Sequence, residues 1–554
     1  MRFILVIVFL FNSILLVEGQ IQTDVLQPQA KKECKISLVE KKEQVETIPI
    51  ETEIKAPGPF PTGIAYDGKY LWVADRKTDL LYQINPEDGK IITTMQAPAF
   101  APYGLAWDGK YLWVSDIGES KIFQIDIKEN IVIKTIDAPS PSAVGLAWDG
   151  KNLIVADNRE DMIHKISAAD GTSISSFKAP DRDSTGIVYD GKYLWIGDRM
   201  KDSIYMVDYE TGDIIFSFPS HGKYPIGLAF DGDRLWNVDY QSKKIYSFKP
   251  PHEKFLLRNE RYAKVIYTQE YHNYGPCDLK EAELYIAIPE NRDNQKIIGE
   301  IKFEPSPNKY LKDESDLRLA YFYKNFMSPY EPFVVKMETT VKVYEINYFI
   351  YPNKVGSLEE IPKDIKDKYL KDGEKYDIDN KIIQKAVKEA VGDEKNPYWI
   401  ARKIYNYLIE HLEYELAGGW NPAPVVLERG NGSCSEYTFV YIAMSRAAGL
   451  PARYVGSVVV RGDDASMDDV FHRWVEIYLP NYGWIPVDPS GGDNALPSDQ
   501  AAFFGHLSNR FLITTQNIGG SPYLGWTYNS DTKWKFSGKC KIIEEHYAEW
   551  EPID

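Results

Sequence analysis

The sequence predicts a multidomain fold: an all-β five-bladed propeller over residues 46–250, a β-sandwich over 255–350 and an α+β domain over 378–554. Three observations carry this prediction. A 41-residue period runs from Gly63 to Ile245, longer alternating apolar runs replace it after Phe255, and helical periodicity begins only at Ile382. A chain of 554 residues has room for roughly three or four such domains, each burying its own core.

The period is exact. Gly63, Gly104, Gly145, Gly186 and Gly227 recur every 41 residues, as do Asp67, Asp108, Asp149, Asp190 and Asp231. Asp75, Asp116, Asp157, Asp198 and Asp239 follow the same rule, and so do Leu81, Ile122, Ile163, Ile204 and Ile245. Within one unit, GIAYDGKYLWVAD reads as two short strands joined by an Asp-Gly turn, DLLYQINPEDG as a third strand and KIITTMQAP as a fourth. Four strands at this period make a propeller blade. The fifth copy stops near Lys249 after its third strand. An orphan run, Glu46 to Lys55, precedes the first copy and leads into Lys-Ala-Pro, whose Ala-Pro recurs at the same place in the first three units, so it is expected to complete the last blade and remove the free edge. The aspartates at 75 to 239 are read as turn acceptors rather than a rim of cation ligands. Trp72, Trp113, Trp195 and Trp236 are read as blade core rather than sugar platforms.

Alternating runs at Tyr262–Thr268, Glu283–Ile288, Lys296–Phe303, Leu317–Tyr323 and Val334–Tyr348 predict the sandwich, the last run holding one strand or more. A Pro/Lys/Asp-rich connection from Pro352 to Asp379 leads to two helices. The first carries Ile382, Ile383, Ala386, Val387, Ala390 and Val391; the second is capped by Asn396-Pro397 and carries Ile400, Ile404, Tyr407 and Leu408.

From Gly430 to Pro489 the residues suit a thiol nucleophile. Cys434 follows Gly-Asn-Gly-Ser and opens an apolar run stopped by Gly449 and Pro451, which puts the thiol at a helix N-terminus. Unpaired amides and the helix dipole there favour thiolate and suit an oxyanion. His472 starts a strand whose partner ends at Asp488, so a simple hairpin brings base and orienter together. Gly462 to Asp469, with Asp463, Asp464, Asp468 and Asp469, is read as a solvated acidic loop rather than a calcium site or lid. The tail after Asp488, rich in Trp and Tyr, is read as β structure covering the core.

These residues resemble the transglutaminase-like family. The resemblance covers G-x-G-S-C with its helix, G-L-P-A-R-Y-V-G, F-H-R-W-V-E and G-W-I-P-V-D-P, and extends upstream to Tyr398–Leu412. It implies a papain-like α+β core over 378–554, with Cys434 as nucleophile, His472 as general base and acid, and Asp488 as the residue that orients the imidazole. It implies a cysteine protease or acyltransferase working through an acyl-thioester. It also offers Trp420 as an oxyanion donor or pocket wall, although its spacing from Cys434 departs from the family pattern and packing is the expected role. Comparable sandwiches precede the core in that family, which makes 255–350 a spacer or substrate-shaping module. The alternative of a different class is a non-enzymatic surface adhesion or scaffold protein.

A formal charge of −17 argues against nucleic-acid or anionic-membrane binding, which needs basic patches. The expected partners are a protein or peptide substrate and, for the propeller, a protein or glycan. Met1-Arg2 followed by an apolar run to Val17 predicts a signal peptide over 1–19, a linker over 20–45 and a secreted protein with no further membrane segment. The four cysteines, Cys34, Cys277, Cys434 and Cys540, leave disulfide pairing open. No stretch has metal-ligand spacing, so neither cofactor nor metal is expected.

Overall fold

The computed structural model describes residues 47–416, 419–462 and 465–553. The stretches expected to be a signal peptide and a linker, with Cys34, and the residues Asp463 and Asp464 lie outside the described residues.

The repeats fold as five four-stranded antiparallel sheets. Their innermost strands, Pro61–Tyr66, Pro102–Trp107, Ala143–Trp148, Ser184–Tyr189 and Pro225–Phe230, neighbour one another in turn. The recurrent glycines permit that approach. A Cβ on Gly63 would lie 2.1 Å from the Tyr103 carbonyl oxygen, and one on Gly227 would lie 2.4 Å from that of Thr62, so the fifth strand returns to the first. Thr52–Lys55 pairs antiparallel with Lys244–Phe248, matching Ile54 to Ile245, and supplies the fourth strand of the last sheet. The aspartate at the Asp-Gly turn accepts the indole N–H five residues on, as Asp67 does from Trp72 at 2.9 Å and Asp190 from Trp195 at 2.8 Å. These tryptophans are fully buried, in line with a core role.

Two further sheets share one core. The larger runs in the order Gln295–Glu304, Pro332–Tyr348, Phe255–Asn273, Ile542–Pro552, Ser466–Asp468, and the smaller Lys309–Lys312, Arg318–Lys324, Leu279–Ala287, Ser530–Phe536. Tyr267, Leu284, Phe322, Val335 and Trp550 fill the space between them. Pro332–Tyr348 is one continuous strand. The boundaries differ from the sequence expectation. Of the tail after Asp488, Phe511–Asn517 joins the α+β sheet, but Ser530–Phe536 and Ile542–Pro552 pair with strands of 255–350, Ala548 opposite Tyr267, and Cys277–Cys540 ties that return; only the other edge of Ile542–Pro552 meets the α+β domain, at Ser466–Asp468. Pairings across more than two hundred residues leave no local pattern to read.

The α+β domain packs the buried helix Cys434–Ala447 against a sheet ordered Gly483–Val487, His472–Leu479, Ala452–Val459, Phe511–Asn517. Helices Lys381–Ala390 and Pro397–His411 buttress it, the latter capped by Asn396, whose side chain accepts the Tyr398 and Trp399 amides. This domain and the segment 349–353 that leads towards it dock on the fourth repeat sheet. Outer strands Ile91–Gln96, Ile131–Asp137 and Ser173–Lys178 are largely exposed, whereas Ile214–Pro219 buries Phe216 and Phe218 against Phe349. Asn406 Nδ2 donates to Asp213 at 3.0 Å and Tyr193 to Asn353 at 2.9 Å across the same junction.

Candidate active site

Cys434 is the first residue of its helix. Ser433 caps it and forms a reciprocal box with Glu436, whose carboxylate accepts the Ser433 amide at 3.1 Å. Glu436 is fully buried and also accepts from Asn421 N and Nδ2, at 3.1 and 2.9 Å, and from Arg429 Nη2 at 2.7 Å. One carboxylate therefore pins the Trp420–Asn421 loop and the helix Ala423–Arg429 to the start of the cysteine helix. Cys434 is partly exposed as a residue and is the free cysteine among the described residues.

His472 opens its strand behind an unusual residue. Phe471 is buried with φ of 61°, a left-handed conformation that a bulky side chain adopts at a cost of about 1–3 kcal/mol. A buried carboxylate holds it there. Asp468 Oδ1 accepts the Phe471 amide at 3.0 Å and Arg461 Nε at 2.9 Å, Oδ2 accepts the Val459 amide at 2.7 Å, and Arg461 Nη2 donates to the Phe471 carbonyl at 2.8 Å. The solvated reading of this acidic loop is thus wrong for Asp468, which has no exposure at all. Its role rests on a clamp between separate strands, which a run of acidic residues does not reveal.

The strand ladder pairs Val475 with Val487, which leaves His472 diagonal to Asp488 rather than opposite it. Both lie on one face, and His472 Nε2 meets Asp488 Oδ2 at 2.6 Å. Asp488 Oδ1 is held in turn by Ser490 Oγ at 2.8 Å and the Gly491 amide at 3.0 Å. With Nε2 engaged by Asp488, Nδ1 is the ring nitrogen left to face Cys434. The ring packs beside Trp474 and Phe511, which also touch each other, with centroids 5.9 and 5.6 Å away.

The charges follow from this geometry. Burial pushes the Cys434 thiol up, but the hydrogen bond and charge of His472 and the charge of Arg473 outweigh it, and the thiol sits below its ordinary value. Burial pulls His472 down, while the charge and hydrogen bond of Asp488, with help from Cys434, push it up to about 10. Burial also raises Asp488, yet His472 holds it below the usual carboxylate range. The arrangement favours a thiolate–imidazolium pair.

Sequence reasoning missed Arg473. It is fully buried, its guanidinium lies 4.2 Å from the Tyr528 ring centroid and 4.6 Å from that of Trp420, and Nη2 donates to the Trp526 carbonyl at 2.9 Å. A buried arginine beside a histidine on a strand is ordinarily a core ion pair, so only the ring cage marks it. Trp420 is 40% exposed and rests on Arg473 and Tyr528. The structure therefore brings Cys434, His472 and Asp488 together and sets Trp420 beside them through Arg473.

Residues 384–489 match the family described as the transglutaminase-like superfamily. An uncharacterized protein of Haemophilus influenzae is 26% identical over 255 residues, 40% of this chain and 67% of its own length. Uncharacterized protein YebA of Bacillus subtilis is 31% identical over 77 residues, 12% of this chain and 10% of its own. The solved structure of "a Putative Cysteine Protease" from Cytophaga hutchinsonii is similar at 15% identity and a TM-score of 0.38, covering 53% of this chain and 92% of that one. On the family match, residues 384–489 make up a transglutaminase-like core, in which Cys434 starts the helix and His472 and Asp488 meet on the adjoining strands.

Proposed function

We infer that this is an exported cysteine enzyme that cleaves or transfers at amide or peptide carbonyls through an acyl-thioester. The observation that carries the reading is the 2.6 Å contact of His472 Nε2 with Asp488, which leaves Nδ1 for a thiol held at a helix start. Cys434 thiolate adds to the carbonyl carbon, and the Cys434 amide, unpaired at the first helical position, faces the oxyanion. His472 passes its proton to the departing amine, and the C–N bond breaks to leave the thioester. Water or a second amine, deprotonated by His472, then resolves it, giving hydrolysis or transfer. Asp488 keeps the imidazole in one orientation throughout.

Residues 46–250 are read here as a five-bladed propeller that recruits a protein or glycan, and 255–350 as the body of a β-sandwich that links it to the catalytic domain. Export is supported by the Cys277–Cys540 disulfide, a bond of oxidising compartments. The described residues contain no helix long and apolar enough to cross a membrane. A hydrogen-bonded His472–Asp488 pair beside a free cysteine at a helix start favours an enzyme over an adhesion scaffold.

The test is mass spectrometry of peptide mixtures incubated with the protein and a primary amine. Cleaved peptides indicate hydrolysis and amine adducts indicate transfer. Cys434→Ala should abolish both while leaving the melting curve nearly unchanged. Turnover within tenfold of wild type in that variant removes the mechanism.

A further inference from the structure

Four of the five repeats use their recurrent aspartate in the same way. One oxygen, Oδ1, accepts turn amides two or three residues on. The other, Oδ2, accepts the backbone N–H fifteen residues earlier: Phe60 to Asp75 at 2.5 Å, Ala101 to Asp116 at 2.7 Å, Asp183 to Asp198 at 3.0 Å and Tyr224 to Asp239 at 2.6 Å. The third repeat departs from this. Asp157 Oδ1 keeps its turn amides, from Arg159 at 2.8 Å and Glu160 at 3.1 Å, but Ser142, at the place of the other donors, gives its N–H to Ser140 Oγ.

Asp157 Oδ2 is consequently buried with no hydrogen-bond donor among the described residues. Facing it is His164, where the other repeats carry Tyr82, Phe123, Tyr205 and Tyr246. His164 Nε2 is likewise buried without a hydrogen-bond partner, and it lies 4.0 Å from Asp157 Oδ2, too far for a hydrogen bond. Native folds rarely bury two unmatched polar atoms face to face unless something sits between them. Glu160, exposed on the turn, completes a set of three ligand atoms within 4.8 Å of one another.

We propose that Asp157, Glu160 and His164 bind one divalent transition-metal ion of the zinc class. Zinc takes imidazole nitrogen and carboxylate oxygen at about 2.0–2.2 Å, which sets tetrahedral ligands roughly 3.3 Å apart. Small side-chain rotations contract the buried pair to that separation, and the exposed Glu160 has the freedom to follow. One imidazole beside two carboxylates selects against magnesium and calcium, which take all-oxygen shells. The ion fastens the turn Asn158–Glu160 to the strand Met162–Ser167. It does so in the repeat that lacks the buried indole, since Ile154 stands where the others have Trp72, Trp113, Trp195 and Trp236. The metal is therefore a staple for the irregular repeat, separate from the cysteine site.

The experiment uses the full chain carrying Cys434→Ala and Cys34→Ala, which leaves no unpaired thiol to hold zinc beside an imidazole. The protein is stripped with a chelator, titrated with Zn²⁺ by calorimetry and melted with and without the ion. One equivalent should bind, and zinc should raise the melting midpoint by several degrees. Adding His164→Phe, the residue of the second repeat and hence compatible with the fold, should weaken binding at least tenfold and abolish the thermal shift. Glu160→Gln, on the surface, should weaken binding severalfold without altering the metal-free melt. Equal zinc affinity with and without His164, no binding by the parent, or tighter binding of Ca²⁺ than of Zn²⁺ overturns the assignment.

Discussion

Asp488 divides its work between two oxygens. Oδ2 takes the imidazole, while Ser490 and Gly491 hold Oδ1, so the carboxylate cannot turn away from His472. Asp488→Asn keeps the shape and removes the charge. Asp488 acts on the thiol in two opposed ways: its charge directly raises Cys434, and through His472 it supplies the larger lowering effect. The indirect effect wins, because the hydrogen bond and charge of His472 are the nearer influences. His472 in the variant should fall from about 10, and the acidic limb of iodoacetamide alkylation at Cys434 should move to higher pH. In the wild type the thiolate is present from the lowered thiol value upward, and the ion pair is lost as pH rises through about 10. Turnover in the variant should drop by roughly 10–10³-fold, less than in a serine triad because the thiolate is already formed. Superimposable pH profiles for the two proteins would reduce the site to a Cys–His pair.

At the level of elements, Cys434 and His472 of the candidate site are each aimed by a polar device at the end of its helix or strand. Glu436 ties the loop before Cys434 to the helix start, and Asp468 with Arg461 holds the left-handed turn that launches His472. The same logic of finished ends applies to the repeat domain, where Thr52–Lys55 covers the last sheet. A chain beginning at Ala56 loses that strand with buried Ile54 and exposes the edge of Lys244–Phe248. Hydrogen exchange should speed up at least tenfold in Lys244–Phe248, and the repeat domain should melt lower. Protection in Cys434–Ala447 should remain. Unchanged exchange in Lys244–Phe248 would mean that the strand contributes nothing to closure.

Over the whole molecule, residues 47–553 are joined by two long-range devices. One is the fourth repeat sheet, whose Phe216 and Phe218 enter the same core as Tyr398 and Ile400. The other is the return of the C-terminus to the strands of 255–350, fastened by Cys277–Cys540 across 263 residues. A closure of that length restricts the unfolded chain strongly, and typical disulfides contribute about 2–4 kcal/mol. Replacing both cysteines by serine should lower the denaturant midpoint and free Ser530–Phe536 and Ile542–Pro552 to exchange first. A midpoint unchanged with the double variant would place the stability of the return in the strand pairing alone.

What was legible in the sequence was whatever is local or repeated. The 41-residue period, the Asp-Gly turns, the Asn396 cap and the helix opened by Cys434 all arise from contacts within a few residues, so their signals lie side by side in the chain. The order Cys434, His472, Asp488 was legible for the same reason, since a helix start and one hairpin place all three. Tertiary structure alone decided the rest. The buried clamp at Asp468, the ring cage around Arg473, the C-terminal strands in the sheets of 255–350 and the unmatched Asp157–His164 pair depend on segments distant in sequence. A side chain's desolvation and partners are set by what folds against it, and residue type alone does not carry that information.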